Sequence, residues 1–105
     1  MNSYTEVDEY GNKFWYNENG EYHRLDGPAV ECANGYKMWC QNDQRHRLDG
    51  PAVEWPDGTK MWYQNGLYHR LDGPALEWAD GDKEWCIEGE TYTEEEFQAK
   101  IAEMI

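Results

Sequence analysis

Basic residues are scarce in this chain: Lys and Arg number 9 against 22 Asp and Glu, for a formal net charge of −13. Phosphate attraction dominates most contacts with DNA, RNA and anionic lipid surfaces, so this balance argues against direct nucleic-acid and membrane binding and points to a partner with a basic surface. Cysteine is also sparse. Cys32, Cys40 and Cys86 are an odd number without ligand-like spacing, which gives neither a disulfide framework nor a zinc site. No apolar run is long enough to span a bilayer and no secretory leader is visible, so a reducing cytoplasm is the expected location. Every glycine falls at an expected turn, leaving none for a strand-to-helix phosphate loop. Low aromatic content is not among the shortages. Six Trp, eight Tyr and two Phe supply large apolar area to a chain of strongly polar mean hydropathy, which argues against disorder.

What is present is a repeat. His23-Arg24-Leu25-Asp26-Gly27-Pro28-Ala29 recurs at His46 to Ala52 and at His69 to Ala75, a period of 23. The fullest unit runs from Lys60-Met61-Trp62-Tyr63-Gln64 through Asn65-Gly66, Leu67-Tyr68-His69-Arg70, Leu71-Asp72-Gly73 and Pro74-Ala75-Leu76-Glu77-Trp78 to Ala79-Asp80-Gly81. Asn-Gly and Asp-Gly between β-favouring residues are two-residue hairpin signals, because a type I′ turn needs positive φ at both central positions. Each period then reads as a meander with two hairpin turns. The first unit carries one extra residue before Gly20, which implies a bulge or a longer loop there.

Two-residue loops at Asp57-Gly58 and Asn65-Gly66 set Val53 opposite Trp62, Trp62 opposite His69, Glu54 opposite Met61, and Met61 opposite Arg70. Val53, Trp55, Trp62 and His69 would form the better buried face, with Val30, Trp39 and His46, then Leu76, Trp78 and Trp85, as equivalents. Ala52, Glu54, Met61, Tyr63, Tyr68 and Arg70 would lie on the other. Arg70 should then reach Glu54 across Met61, and Arg47 should reach Glu31 across Met38, a ladder of ion pairs that sets register more than stability.

The chain ends on a different signal. Thr93 followed by Glu96 is a capping box, with Tyr92 and Phe97 placed as a hydrophobic staple. A helix from Glu94 to Ile105 should present Phe97, Ile101, Met104 and Ile105 on one face and cover the last unit. The expected organisation is one all-β domain over residues 1–105: an N-terminal half unit (1–12), stacked β-hairpin repeats (13–92) and a capping helix (93–105).

The pattern Trp-x-x-Asn-Gly-x-x-His-Arg-x-Asp-Gly-Pro-Ala, followed by Trp-x-Asp-Gly, resembles the MORN-type repeats, including the variant of the YwqK-like proteins labelled antitoxins. The His-Arg-x-Asp-Gly-Pro-Ala form, with Thr-x-Glu-Glu-Phe after it, is similar to repeat proteins of tailed phages and large DNA viruses. That resemblance implies a single curved sheet of stacked hairpins and a viral or phage-borne accessory protein. It carries no catalytic residue.

Chemistry is weighed against repetition. A meander advancing two strands per unit separates His23, His46 and His69 by roughly 9–10 Å at each step, too far to share a zinc ion. Each is expected to pack beside Trp39 or Trp62 and bond to the Asp-Gly loop. Cysteines that alternate with Trp and Tyr in equivalent positions do not look like nucleophiles, so a non-enzymatic, cofactor-free binding protein is the expected class. Two surfaces compete for the role. Asp80, Asp82, Glu84, Glu88, Glu90, Glu94, Glu95 and Glu96 lie outside the repeated acidic positions and are the candidate contact for a basic host protein that the chain would inhibit. Arg24, Arg47 and Arg70, with Tyr63 and Tyr68, are the alternative site, for sequestering a nucleotide-like signal. Antitoxin-like binding of one toxin is a third reading, and exposed terminal strands leave a homodimer through sheet edges open.

Overall fold

The computed structural model describes residues 4–104. Its strands are β1 (Tyr4–Val7), β2 (Lys13–Tyr16), β3 (Val30–Glu31), β4 (Lys37–Met38), β5 (Cys40–Gln41), β6 (Gln44–Arg45), β7 (Val53–Glu54), β8 (Lys60–Met61), β9 (Tyr63–Gln64), β10 (Leu67–Tyr68), β11 (Leu76–Glu77), β12 (Lys83–Ile87) and β13 (Glu90–Tyr92), and helix α1 (Glu94–Glu103) follows. Nine of them form one antiparallel sheet in the order β1-β2-β3-β4-β7-β8-β11-β12-β13; β5-β6 and β9-β10 are separate two-stranded ribbons. The architecture is thus an antiparallel β meander with one C-terminal helix. Its radius of gyration is 15.2 Å, above the roughly 13 Å of a compact chain of this length, and its extents are 46 × 31 × 17 Å.

Two turn types alternate along the chain. Asn65 (φ 52°) and Gly66 (φ 83°) make the expected two-residue turn between Gln64 and Leu67. Asn42-Asp43 and Glu88-Gly89 turn in the same way with three non-glycine residues at positive φ. The Asp57-Gly58 loop is different. Trp55 N–H donates to Thr59 O and Gly58 N–H to Trp55 O, so Pro56, Asp57 and Gly58 form a three-residue loop that ends on Gly58 at φ 97°. Proline presets the first loop position of a type I turn, and the glycine after it makes the bulge. The extra residue of the first unit is accommodated the same way: Asn17 N–H donates to Glu21 O around Gly20 at φ 79°.

One residue in the loop changes the whole register. Val53 lies opposite Met61 and Glu54 opposite Lys60, in place of Trp62 and Met61. Across the sheet this produces an apolar row, Phe14-Val30-Met38-Val53-Met61-Leu76, ending on Glu84. Beside it runs Lys13-Glu31-Lys37-Glu54-Lys60-Glu77-Lys83, alternating in sign at every strand. Opposite charges facing one another support this register, and a slip by one residue would set Lys and Glu against the apolar row.

The burial pattern corrects the expected faces. Val30, Val53 and Leu76 are buried, but so are Ala29, Ala52, Ala75, Met38, Cys40, Tyr63 and Cys86, while Trp55 is 44 % exposed. The core therefore draws on the main sheet and on the ribbons together, because the chain leaves the sheet at Trp39 and Trp62 and returns through Ala52 and Ala75. The two ribbons are tied by Arg47 N–H to Tyr63 O and Gly66 N–H to Arg45 O, and the second ribbon is tied to β12 by Arg70 N–H to Cys86 O.

Helix α1 begins as read. Glu96 N–H donates to Thr93 Oγ1 (3.1 Å), and Thr93 N–H donates to Glu96 Oε1 (2.9 Å). Phe97 is buried against the end of the sheet, where α1 meets β12 and β13, and Ile101 is half-buried. Met104 is exposed, contrary to the expected apolar face, because the helix ends at Glu103; Ile105 lies outside the described residues.

Candidate binding surface

The seven-residue motif is built around its arginine. In the central copy Arg47 Nε donates to Asp49 Oδ1 (2.9 Å), while Nη1 donates to Pro51 O (3.1 Å) and to Glu54 Oε2 (3.2 Å). The guanidinium lies 3.8 Å from the centre of the Trp39 ring. Arg24 and Arg70 repeat the arrangement over Trp15 and Trp62, bonding Asp26, Pro28 O and Glu31, and Asp72, Pro74 O and Glu77. The expected ion pairs to Glu31 from Arg47 and to Glu54 from Arg70 do not form: each Arg meets the Glu seven residues ahead of it. A loop that folds Arg, Asp and Glu of one unit together reaches that carboxylate without crossing a strand.

Glycine closes this clamp. A Cβ at Gly50 would stand 2.9 Å from Arg47 Cζ, and at Gly27 and Gly73 the distance to Arg24 and Arg70 would be 2.8 Å. The guanidinium is thus sandwiched between an indole and a bare backbone. The histidines serve a neighbouring turn: His23, His46 and His69 accept at Nδ1 from the backbone N–H of Asn42, Asn65 and Glu88, each at 3.0 Å. That acceptor role assigns the proton to Nε2. The partner is the next two-residue turn, in place of the expected Asp-Gly loop. Among the described residues no group of three or more His, Cys, Asp and Glu is arranged to hold a metal ion.

The alternative site does not assemble. Tyr63 and Tyr68 stack on each other at 4.4 Å, with Tyr63 buried, and neither lines the grooves beside the arginines. Burial, then the hydrogen bond to Tyr68, pushes the Tyr63 hydroxyl upward. Burial likewise raises the thiols, Cys40 to about 11 and Cys32 and Cys86 in the same direction, so all three favour the neutral thiol over the nucleophilic thiolate.

The eight acidic candidates are all exposed but are not gathered in one place. Asp80 and Asp82 occupy the turn before β12, beside Trp78 and Glu84, and Glu88 and Glu90 lie at its other end. A five-residue strand separates these groups by about 17 Å. Glu94 and Glu95 are on the first turn of α1, where Glu96 is committed to the capping box.

Reading the sequence misses two shallow grooves between successive motif loops. One lies between Leu25-Asp26 and Leu48-Asp49 above Trp39; the other lies between Leu48-Asp49 and Leu71-Asp72 above Trp62. Each encloses about 530 Å³ and is rimmed by Gln41 and His46 or Gln64 and His69. Their signal was a leucine repeated three times in a loop where no apolar periodicity called for one. No protein-family model, curated protein or solved structure matches the chain.

Proposed function

We propose that this chain is a non-enzymatic, acidic binding protein, built as a MORN-like curved stack of 23-residue hairpin units, that engages and inhibits a protein with a basic surface. The single observation that carries the reading is where the positive charge goes. Three arginines are clamped within the motif, four lysines stand in the Lys-Glu row, and Arg45 lies 5.5 Å from the Tyr63 ring. The four arginines are thus held against a carboxylate or a ring and four of the five lysines stand opposite glutamates in the sheet register, so the 22 acidic groups outweigh the 9 basic ones in the accessible field. Such a field steers and selects a basic partner, and the resemblance to phage and viral repeats makes a host protein the natural target.

The same commitment disfavours a nucleotide trap at the arginines. Their Nε and Nη1 groups already donate to carboxylates and a carbonyl, and a phosphate would have to displace them. The test is affinity capture of the tagged chain from host lysate with low- and high-salt washes, followed by mass spectrometry of bound proteins and released small molecules. One basic protein, lost at high salt, is the expected result. A released nucleotide without a protein, or a partner of acidic surface retained at high salt, overturns the reading.

A further inference from the structure

The grooves above Trp39 and Trp62 share a wall. Arg47, Leu48 and Asp49 line both, so the two make one continuous trough across successive units. Arg24, Asp26, Arg47 and Asp49 lie in the first groove, and Arg47, Asp49, Arg70 and Asp72 in the second. Each of these arginines donates through Nε to the aspartate of its own loop at 2.8–3.0 Å. Two guanidinium groups and two carboxylates therefore balance within each groove, and a charged ligand of either sign finds no surplus of the opposite sign there.

Neutral polar groups in the trough are uncommitted. His46 and His69 accept at Nδ1 from the next turn, which leaves each Nε2–H as a donor, and no described residue accepts from either. The side-chain amides of Gln41 and Gln64, half-buried in the same grooves, make no hydrogen bond among the described residues. Asp26, Asp49 and Asp72 each use only Oδ1 toward arginine, and their side chains are 86–87 % exposed. These valences describe a ligand. An imidazole N–H only donates and a carboxylate oxygen only accepts, so a ligand that engages both must offer an acceptor and a donor. Carboxylates and fully ionised phosphates have no proton for Asp, while ammonium and guanidinium groups have no lone pair for His. A hydroxyl has both. A pyranose ring carries hydroxyls around its rim and C–H groups on its faces, which suits polar groups set among Trp39, Trp62 and the exposed Leu25, Leu48 and Leu71.

We infer that the trough binds a neutral oligosaccharide, with one sugar seated above Trp39 and another above Trp62. Sugar oxygens accept from Nε2 of His46 and His69, hydroxyls donate to the aspartates, and Gln41 and Gln64 exchange a donor and an acceptor with neighbouring hydroxyls. Ring C–H faces lie against the leucines, which accounts for apolar side chains kept at the lips of a polar groove. Each groove, at about 530 Å³, falls within the range of small-molecule sites. The site is separate from the basic-partner reading and stands or falls without it.

The test is an NMR titration of the isotope-labelled full chain, read at side-chain amide and imidazole signals. The probes are maltohexaose, cellohexaose, mannohexaose and N-acetylated chitohexaose, with hexagalacturonic acid as the charged control and hexaglycine as the peptide control. At least one neutral sugar is expected to shift the Gln41, Gln64, His46 and His69 signals together and to saturation. Gln41→Ala with Gln64→Ala should weaken that binding at least tenfold with the thermal midpoint unchanged, because neither amide is bonded within the fold. Leu48→Ser, on the shared wall, should weaken it in the same direction. No saturable shift with any of the neutral sugars overturns the inference, as does undiminished binding by the double glutamine variant. Tighter binding of the galacturonic acid chain would refute the neutral groove, and tighter binding of hexaglycine would make the trough a peptide site instead.

Discussion

Gly50→Ala isolates the clamp that organises each unit. The added Cβ would lie 2.9 Å from Arg47 Cζ and 3.2 Å from Nε and Nη1, so the guanidinium must leave the Trp39 face. Backbone strain does not enter, because Gly50 is not among the glycines at positive φ. What is lost is the cation–π contact, worth about 0.5–1 kcal/mol at a partly exposed site, and the bond to Pro51 O, about 1 kcal/mol. The two ion pairs to Asp49 and Glu54 add a few tenths each, since their carboxylates are solvent-accessible. The sum is about 2 kcal/mol, a fall of roughly 10 °C in Tm for a domain of this size. The decisive feature is a change of sign. Once Arg47→Ala has removed the guanidinium, Gly50→Ala should stabilise by about 0.5 kcal/mol, through the lower entropy of the unfolded chain. Urea denaturation of the two single variants and the double variant measures the coupling. If Gly50→Ala costs the same in both backgrounds, Arg47 is not what that glycine accommodates and the clamp is misassigned.

Further outcomes follow from the turns, the helix and the buried thiol. Glu88, at φ 50° in a two-residue turn, is replaced by Asn in the equivalent position of the preceding unit, so Glu88→Asn should raise stability by about 0.5–1 kcal/mol in denaturant titration. Thr93→Ala removes the cap of α1 and should cost about 1 kcal/mol, whereas Phe97→Ala empties the site under the helix and should cost about 3–5 kcal/mol, both read from denaturant midpoints. Burial holds Cys40 at about 11, above its unfolded value of 9.0, so the folded state keeps the proton longer. Its contribution is therefore complete below pH 9.0 and is lost as pH rises to about 11; Cys40→Ala should flatten the stability decline across that window.

Much of this was legible because local chemistry dictated it. The capping box at Thr93 and Glu96, the type I′ turn at Asn65-Gly66 and the lengthened loop before Gly20 are decided within a few residues of chain. The register was not: Asp57-Gly58 reads as a two-residue loop, but Pro56, like Ala33 and Ala79 at the equivalent positions, is the first residue of a three-residue loop that ends on a glycine at positive φ. That single step moved Met61 opposite Val53 and hid the alternating Lys-Glu row. The arginine was recognised as an ion-pair former, yet its partner was sought across a strand, because a clamp of Trp, Gly and a carbonyl has no periodicity to read. The grooves carry no periodic signal either, because Leu25, Leu48 and Leu71 recur with the motif and read as ordinary repeat residues. The acidic candidates are exposed, but the length of β12 divides them between its ends, and Glu96 serves the helix.

The central claim is that the motif arginines are committed within the fold and acidic groups outnumber the remaining cations, so that the surface presents acid to a basic partner. The affinity of the purified partner, measured at about 50 mM and about 300 mM monovalent salt, tests it most directly. A loss of tenfold or more across that range, carried mainly by a slower association rate, is the predicted result. An affinity that is unchanged or rises with salt would contradict it, and would turn attention to an apolar interface that owes nothing to the charge.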